Sequence, residues 1–137
     1  VEMRRDYDPS LPEIHADRNQ LFQAILNIAK NALEAVTESE TVTPWVKFST
    51  RAVRRAHPGS KGAHTMLQIR IEDNGPGIPD DLKDRIFFPM VSGRAQGSGI
   101  GLSITQTIIS RHHGWIEVES EPGHTAIDVI LPFGDMP

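Results

Sequence analysis

The stretch "MLQIRIEDNGPGIP", residues 66–79, alternates apolar and polar side chains and then breaks at a turn rich in glycine and proline. Alternation is the mark of a strand, so Leu67, Ile69, Ile71 and Asp73 share one face while Gln68, Arg70 and Glu72 take the other. A carboxylate in line with three core side chains is costly to bury unless something donates to it. Two readings are open. Asp73 turns back to the amides near Gly75, as aspartate does in turns, or it receives the amino group of a ligand docked between sheet and helix. In the second case Gly75 and Gly77 would let a flat ring lie against the backbone.

Upstream, Asp17 and Gln20 have the spacing of a capping box. Behind them Leu21, Phe22, Ile25, Leu26, Ile28, Ala29, Ala32, Leu33, Ala35 and Val36 sweep out one broad half of a helix. The other half carries Gln23, Asn27, Lys30, Asn31 and Glu34. Asn27 and Asn31 stand one turn apart on one stripe. Asparagine is a mediocre helix former, and a plainly solvated face would be better served by lysine or glutamate. The alternative to such a face is a pair of neutral oxygen ligands for a hard cation such as Mg²⁺, which keeps waters and substrate phosphates in its shell.

Downstream, "VSGRAQGSGIGLSITQ", residues 91–106, runs three alternate glycines (Gly97, Gly99 and Gly101) into an apolar helical pattern. Backbone amides at a helix entrance suit phosphate, and a helix beginning near Leu102 would add its positive dipole end. Arg94 precedes the glycines and could clamp a terminal phosphate. There is no G-x-x-x-x-G-K-[ST], and these glycines do not follow a strand directly as a dinucleotide fingerprint requires. Gly114 is the expected stop of this helix.

The remaining segments fill in a fold. "VEMRRDYD" and "EIHA" are extended pieces around a turn at residues 9–12, "WVKFSTRAV" is strand-like, and "RRAHPGSKGAH" is a polar loop. "DDLKDRIF" makes a short acid-led helix, and "WIEVES" and "TAIDVILPF" pair around a Pro-Gly turn. The pattern predicts an α+β two-layer sandwich: a mixed, mostly antiparallel sheet packed against about three helices.

The 137 residues, 38% hydrophobic, suit one domain with a single core. A net charge of −4 argues against a general nucleic-acid surface, and no apolar stretch is long enough to span a bilayer. Without cysteine, disulfides and thiolate metal sites are excluded. A start at Val1 and an end at "PFGDMP" read as an excised fragment.

In order and in register, these pieces resemble the ATP-binding catalytic domain of bacterial sensor histidine kinases, of the superfamily that includes the ATPases of gyrase, MutL and a heat-shock chaperone. "NIAKNALEA" looks like the asparagine box and "EDNGPGIP" the first glycine box. "IFFPM" resembles the phenylalanine box, "GSGIGLS" the second glycine box, and "PGHTAIDVILP" the closing glycine-threonine strand. "FFPMVSGRAQGSGIGLSI" and "EPGHT" are similar to the nitrogen-regulation branch of these kinases.

The resemblance implies a Bergerat-type sandwich over residues 1–137, with ATP and Mg²⁺ as cofactors and a cytoplasmic setting. It implies a separate helical dimerization domain bearing the phosphoacceptor histidine, a response regulator of the nitrogen system, a PII signal protein, and a homodimeric full-length kinase. No nucleic acid or membrane contact is expected of this domain. By position, Asn31 matches the principal Mg²⁺ ligand and Asn27 supports metal or phosphate. Asp73 matches the adenine-reading carboxylate, with Gly75, Gly77 and Ile78 around it and Thr125 near the base. Gly97, Ser98, Gly99, Ile100, Gly101 and Leu102 match the phosphate-facing run. Phe87 and Phe88 match the hinge of a lid that ends near Ser98 and is expected to move. The related hydrolases place a glutamate at position 27 to activate water; an amide cannot, which favours phosphoryl transfer over hydrolysis.

The chain also departs from the pattern. Glu34 and Ala35 stand where many sensor kinases have Lys and Tyr or Phe, leaving Lys30 or Arg94 to compensate. A phosphoacceptor motif is missing, and none of His15, His57, His64, His112, His113 and His124 fits one. His112 and His113 instead complement a helix C-terminus. The cluster Arg51, Arg54, Arg55 and Lys61 reads as solvated strand ends, with a docking patch as the alternative. The rival functions are an ATP-hydrolysing machine and a degenerate fold that only docks partners.

Overall fold

The computed structural model describes residues 1–11, 16–56, 62–78 and 99–133. The expected helix at 80–87, Phe87, Phe88, Arg94, Gly97 and Ser98 lie outside the described residues, as do His15, His57 and Lys61. Five strands and two helices make up the rest: β1 (Glu2–Asp6), α1 (Arg18–Glu38), β2 (Trp45–Ala56), β3 (Ala63–Asp73), α2 (Gly99–Arg111), β4 (Trp115–Glu121) and β5 (His124–Pro132). The sheet runs β1-β2-β3-β5-β4. β1 lies parallel to β2 and every other pairing is antiparallel, so the sheet is mixed and mostly antiparallel, as expected.

Both helices cover one face. Ala24, Ile28, Ala32 and Val36 of α1 and Leu102, Ile108 and Ile109 of α2 meet Val46, Leu67, Ile71, Ile127, Val129 and Leu131 of the sheet. The parity read from residues 67–73 is the parity observed: Ile71 pairs with Ile127, Ile69 with Val129 and Leu67 with Leu131. The Pro122-Gly123 turn joins Glu121 to His124, with Gly123 at φ +89° as a type II turn requires.

The helix ends correct several expectations. Asp17 Oδ1 accepts the Gln20 amide at 3.0 Å, but the Asp17 amide donates to His112 rather than closing a reciprocal box. α1 presents a narrower apolar face than periodicity suggested, for Phe22 is 66% and Leu26 42% exposed. They lie about 120° or more around the helix from Ala24 and Ile28, beyond the reach of the sheet. α2 begins at Gly99, not near Leu102, because first-turn amides need no intrahelical partner and glycine costs little there. Its C-terminus is a Schellman turn in which the Gly114 amide reaches Ile109 O and the His113 amide Ser110 O, both at 3.0 Å. The left-handed residue is His113, at φ +64°. Gly114 is required for another reason: a Cβ there would collide with the carbonyl of Ile130.

The open face of the sheet is tied by charge. Arg70 and Asp128, direct partners on β3 and β5, form a bidentate pair at 2.7 and 2.9 Å. The Asp128 carboxylate, accepting these bonds, holds the Arg70 guanidinium above its ordinary range. Arg55 of β2 donates to Glu117 of β4 at 3.0 Å, although register offsets the two by about 20 Å along a flat sheet. The long β2–β3 ribbon must therefore curl over this face, which accounts for the burial of Met66 and Ile130 there. Within the basic cluster Arg51 and Arg54 are exposed, as expected of solvated strand ends, and Arg55 departs from that expectation. Arg51 pairs with Asp6, Arg54 binds Thr65 and the Ala63 carbonyl, and Arg55 crosses the sheet.

Candidate functional site

Rows across the helix-facing side of the sheet are apolar until the last. Phe48, Ile71, Ile127 and Val118 form one row; the next consists of Val46, Asp73, Thr125 and Ser120. Three polar side chains therefore stand together at one end of the core. Asp73 is 4% exposed and Thr125 is equally buried. Asp73 Oδ1 accepts the Gly75 amide at 2.9 Å, the turn-capping bond that aspartate is suited to make. A carboxylate accepts up to about four hydrogen bonds, so this cap and a role toward a ligand are compatible.

The glycines following Asp73 are steric requirements. A Cβ on Gly75 would stand 2.8 Å from Asp73 Oδ1 and 3.3 Å from Ala35 Cβ on α1. Gly77 has φ +89°, and a Cβ there would meet the Glu121 carbonyl at 2.5 Å. The loop is seated on the β4–β5 hairpin at one end and against α1 at the other. Ile78 completes the seating, its amide donating to Ser120 Oγ at 2.7 Å.

From Ala35, one stripe of α1 climbs a turn to Asn31 and another to Asn27, a rise of about 12 Å. The sequence placed these amides on a polar half of the helix. In the fold Asn31 is 7% exposed and Asn27 half-buried, because the stripe faces α2 rather than solvent. Asn27 Oδ1 accepts from Gln23 Nε2 at 3.0 Å, and its Nδ2 lies 3.5 Å from Oγ1 of the buried Thr105. Lys30 is exposed on the flank.

The contacts of Asp17 with His112 and of Asn27 with Thr105 show that the helices run antiparallel. Continued one turn, that alignment sets the first turn of α2 level with Asn31. Gly99, Ile100 and Gly101 therefore open α2 beside the stripe, and Leu102 anchors it in the core. Asp73, Gly75, Gly77, Ile78, Thr125, Asn27, Asn31 and the start of α2 are thus brought to one corner of the sandwich. Ser120, Gln23 and Thr105 were not singled out from sequence. Ser120 was legible, since "WIEVES" puts it on the face of Ile116 and Val118 and the tight turn fixes it opposite Thr125.

Residues 16–135 match the family described as histidine kinase-, DNA gyrase B- and HSP90-like ATPases. The chain is 47% identical over 132 residues to the sensory histidine kinase/phosphatase NtrB of Vibrio alginolyticus, with 96% of this chain and 37% of that protein covered. The NtrB of Klebsiella oxytoca is 46% identical over 133 residues, with the same coverage. The chain thus spans 37% of the length of these relatives. Among solved structures, the catalytic domain of the histidine kinase ThkA superposes with a TM-score of 0.77 at 27% identity, covering 97% of this chain and 79% of that one. Full-length ShkA, solved in complex with AMPPNP, gives 0.75 at 28% identity, covering 98% of this chain and 26% of that one. The predicted Bergerat sandwich is the fold observed, and the row of Asp73, Thr125 and Ser120 stands at one end of its core. The chain belongs to the histidine kinase-, DNA gyrase B- and HSP90-like ATPase family, as an ATP-binding catalytic domain of the sensor-histidine-kinase type similar to NtrB.

Proposed function

We propose that this domain binds ATP with Mg²⁺ in the corner described above and delivers the γ-phosphoryl group to a histidine on a separate dimerization domain of the same kinase. A response regulator of the nitrogen system would receive the group next. A PII signal protein, a homodimeric kinase and a cytoplasmic location complete the proposal, all three carried over from the likeness to NtrB. No described helix is long and apolar enough to cross a membrane.

The observation that carries this reading is the buried Asp73 at a strand end, with Gly75 wedged between its carboxylate and Ala35. Asp73 would accept the exocyclic amino group of adenine, and Thr125 beside it supplies a hydroxyl. The loop of Gly75, Gly77 and Ile78 would hold the ring. The first turn of α2 offers amides of Gly99, Ile100 and Gly101 to phosphate oxygens, and Gly97, Ser98 and Arg94 are proposed to extend that cradle. Lys30 and Arg94 are the candidates for the charge that lysine supplies elsewhere in the family.

The residues present fit a magnesium ion. Among the described residues of α1, Asn31 is the one polar side chain that is buried, and neutral amide oxygens suit a hard cation. Asn31 would hold it, with Asn27, now hydrogen-bonded to Gln23 and Thr105, in support. When bound, the ion neutralises charge developing on the phosphates. Positioning is the protein's main contribution to such a transfer, and a base acting on the histidine would come from the dimerization domain.

Titration with ATP and GTP tests the pocket. Asp73→Ala should weaken ATP binding by about 1–3 kcal/mol and erase the preference for adenine, and unchanged affinity would refute the assignment. Transfer is tested by mixing the domain with a phosphoacceptor domain and labelled ATP. Acid-labile label should appear on the partner and not on this chain; steady-state release of phosphate without the partner would point to hydrolysis instead.

A further inference from the structure

Ser120 occupies a position that the pattern of β4 reserves for an apolar side chain. Ile116 and Val118 precede it on the same face and pack on the core. A hydroxyl there needs partners, and two of its partners belong to different parts of the corner. Its oxygen accepts the Ile78 amide at 2.7 Å, and it shares a hydrogen with Thr125 Oγ1 at 3.0 Å. Thr125 is in turn the register partner of Asp73. The loop that follows Asp73 thus returns to the row containing Asp73 by way of one serine.

We infer that Ser120 is a positioning residue for the purine: it pins the Gly75–Ile78 loop to the β4–β5 hairpin at the height of the Asp73–Thr125 pair. This rests on the nucleotide reading given above. Because the Ile78 amide can only donate, the Ser120 oxygen is committed as its acceptor, which fixes the outer end of the loop. Gly77 fixes the middle through its close approach to the Glu121 carbonyl, and Gly75 the inner end through Asp73. Removing Ser120 would release the outer end of the loop at Ile78 and let it tilt from the plane that a flat ring needs. The inner end would stay held by the Asp73 cap and by Asn74, which accepts from the Trp45 amide and donates to the Thr43 carbonyl. The hydroxyl also holds Thr125, so the same change loosens a polar group beside Asp73.

Ser120→Ala and Ser120→Thr separate this role from simple stabilisation of the hairpin. In residue-resolved hydrogen exchange, the Ile78 amide should exchange faster in Ser120→Ala and return to wild-type protection in Ser120→Thr. ATP affinity, measured well below the melting temperature, should fall about tenfold in Ser120→Ala and recover in Ser120→Thr, which keeps the hydroxyl. A Ser120→Ala protein with a lower melting temperature but wild-type ATP affinity would overturn the inference, as would unaltered exchange at Ile78. If the wild-type domain itself bound no ATP, the nucleotide reading would fail first, and the inference, which is about a purine, would fall with it. Loss of ATP binding confined to the variant implicates Ser120 alone.

Discussion

The backbone amide of Asp17, at the start of α1, donates a 2.9 Å hydrogen bond to Nε2 of His112, at the end of α2. An amide can only donate, so Nε2 carries the lone pair and Nδ1 carries the hydrogen, which goes to the Ile108 carbonyl at 2.9 Å. His112 therefore complements the helix C-terminus as a neutral donor while capping a second helix. It clamps together the ends of the two helices that lie far from the glycine loop. His112→Ala should cost about 1–2 kcal/mol of stability, read from urea denaturation with an unchanged m-value. An effect below a few tenths would show that solvent replaces both bonds.

The Arg70–Asp128 pair predicts an asymmetry. Asp128 is 2% exposed, whereas the side chain of Arg70 is 28% exposed and reaches solvent. Arg70→Ala strands a buried carboxylate and should cost about 3 kcal/mol or more. Asp128→Asn leaves a guanidinium that can hydrate, and should cost less. Thermal melts of the two variants check the order, and equal losses would mean that the curled β2–β3 ribbon admits water to Asp128.

The end of α1 repeats the Schellman pattern of α2. Thr41 donates to Val36 O and Glu40 to Thr37 O, both at 3.2 Å, and Glu40 sits at φ +53°. A side chain in the left-handed region is strained where glycine is not. Glu40→Gly should therefore stabilise the domain by about 0.5–1 kcal/mol, seen as a higher denaturation midpoint with ATP affinity unchanged.

Much of this was legible in the chain because parity and register are local. The alternation of residues 67–73 puts Asp73 on the face of Leu67, Ile69 and Ile71, and the Pro122-Gly123 turn sets Thr125 opposite Ser120. What periodicity could not supply was direction in three dimensions. It put Asn27 and Asn31 on a half opposite the core, yet their stripe of that half lies along α2, with Asn31 buried and Asn27 half-buried. It read Gly99 and Gly101 as loop, since propensity counts glycine against a helix without knowing that first-turn amides lack partners anyway. It took Arg55 as a solvated strand end, because no local rule foresees a ribbon curling until Arg55 meets Glu117. The misses at the asparagines and at Arg55 are cases of tertiary packing choosing between locally permitted states.

The wedge at Gly75 gives a test of the site that leaves the Asp73 carboxylate in place. In Gly75→Ala the new methyl would stand 2.8 Å from Asp73 Oδ1 and 3.3 Å from Ala35 Cβ, with α1 backbone just behind at 3.4 Å. The helix is held by the core and cannot retreat, so the carboxylate must rotate and the loop must lift. The backbone at Gly75 is not in the left-handed region, so the strain is steric rather than conformational. ATP affinity should fall about tenfold, approaching the loss in Asp73→Ala, while secondary structure by circular dichroism is retained. The double variant should lose little more than either single change, since both act on one group. Additive losses would place the ligand contact of Asp73 and the packing of Gly75 in separate sites, and the corner would no longer act as one pocket.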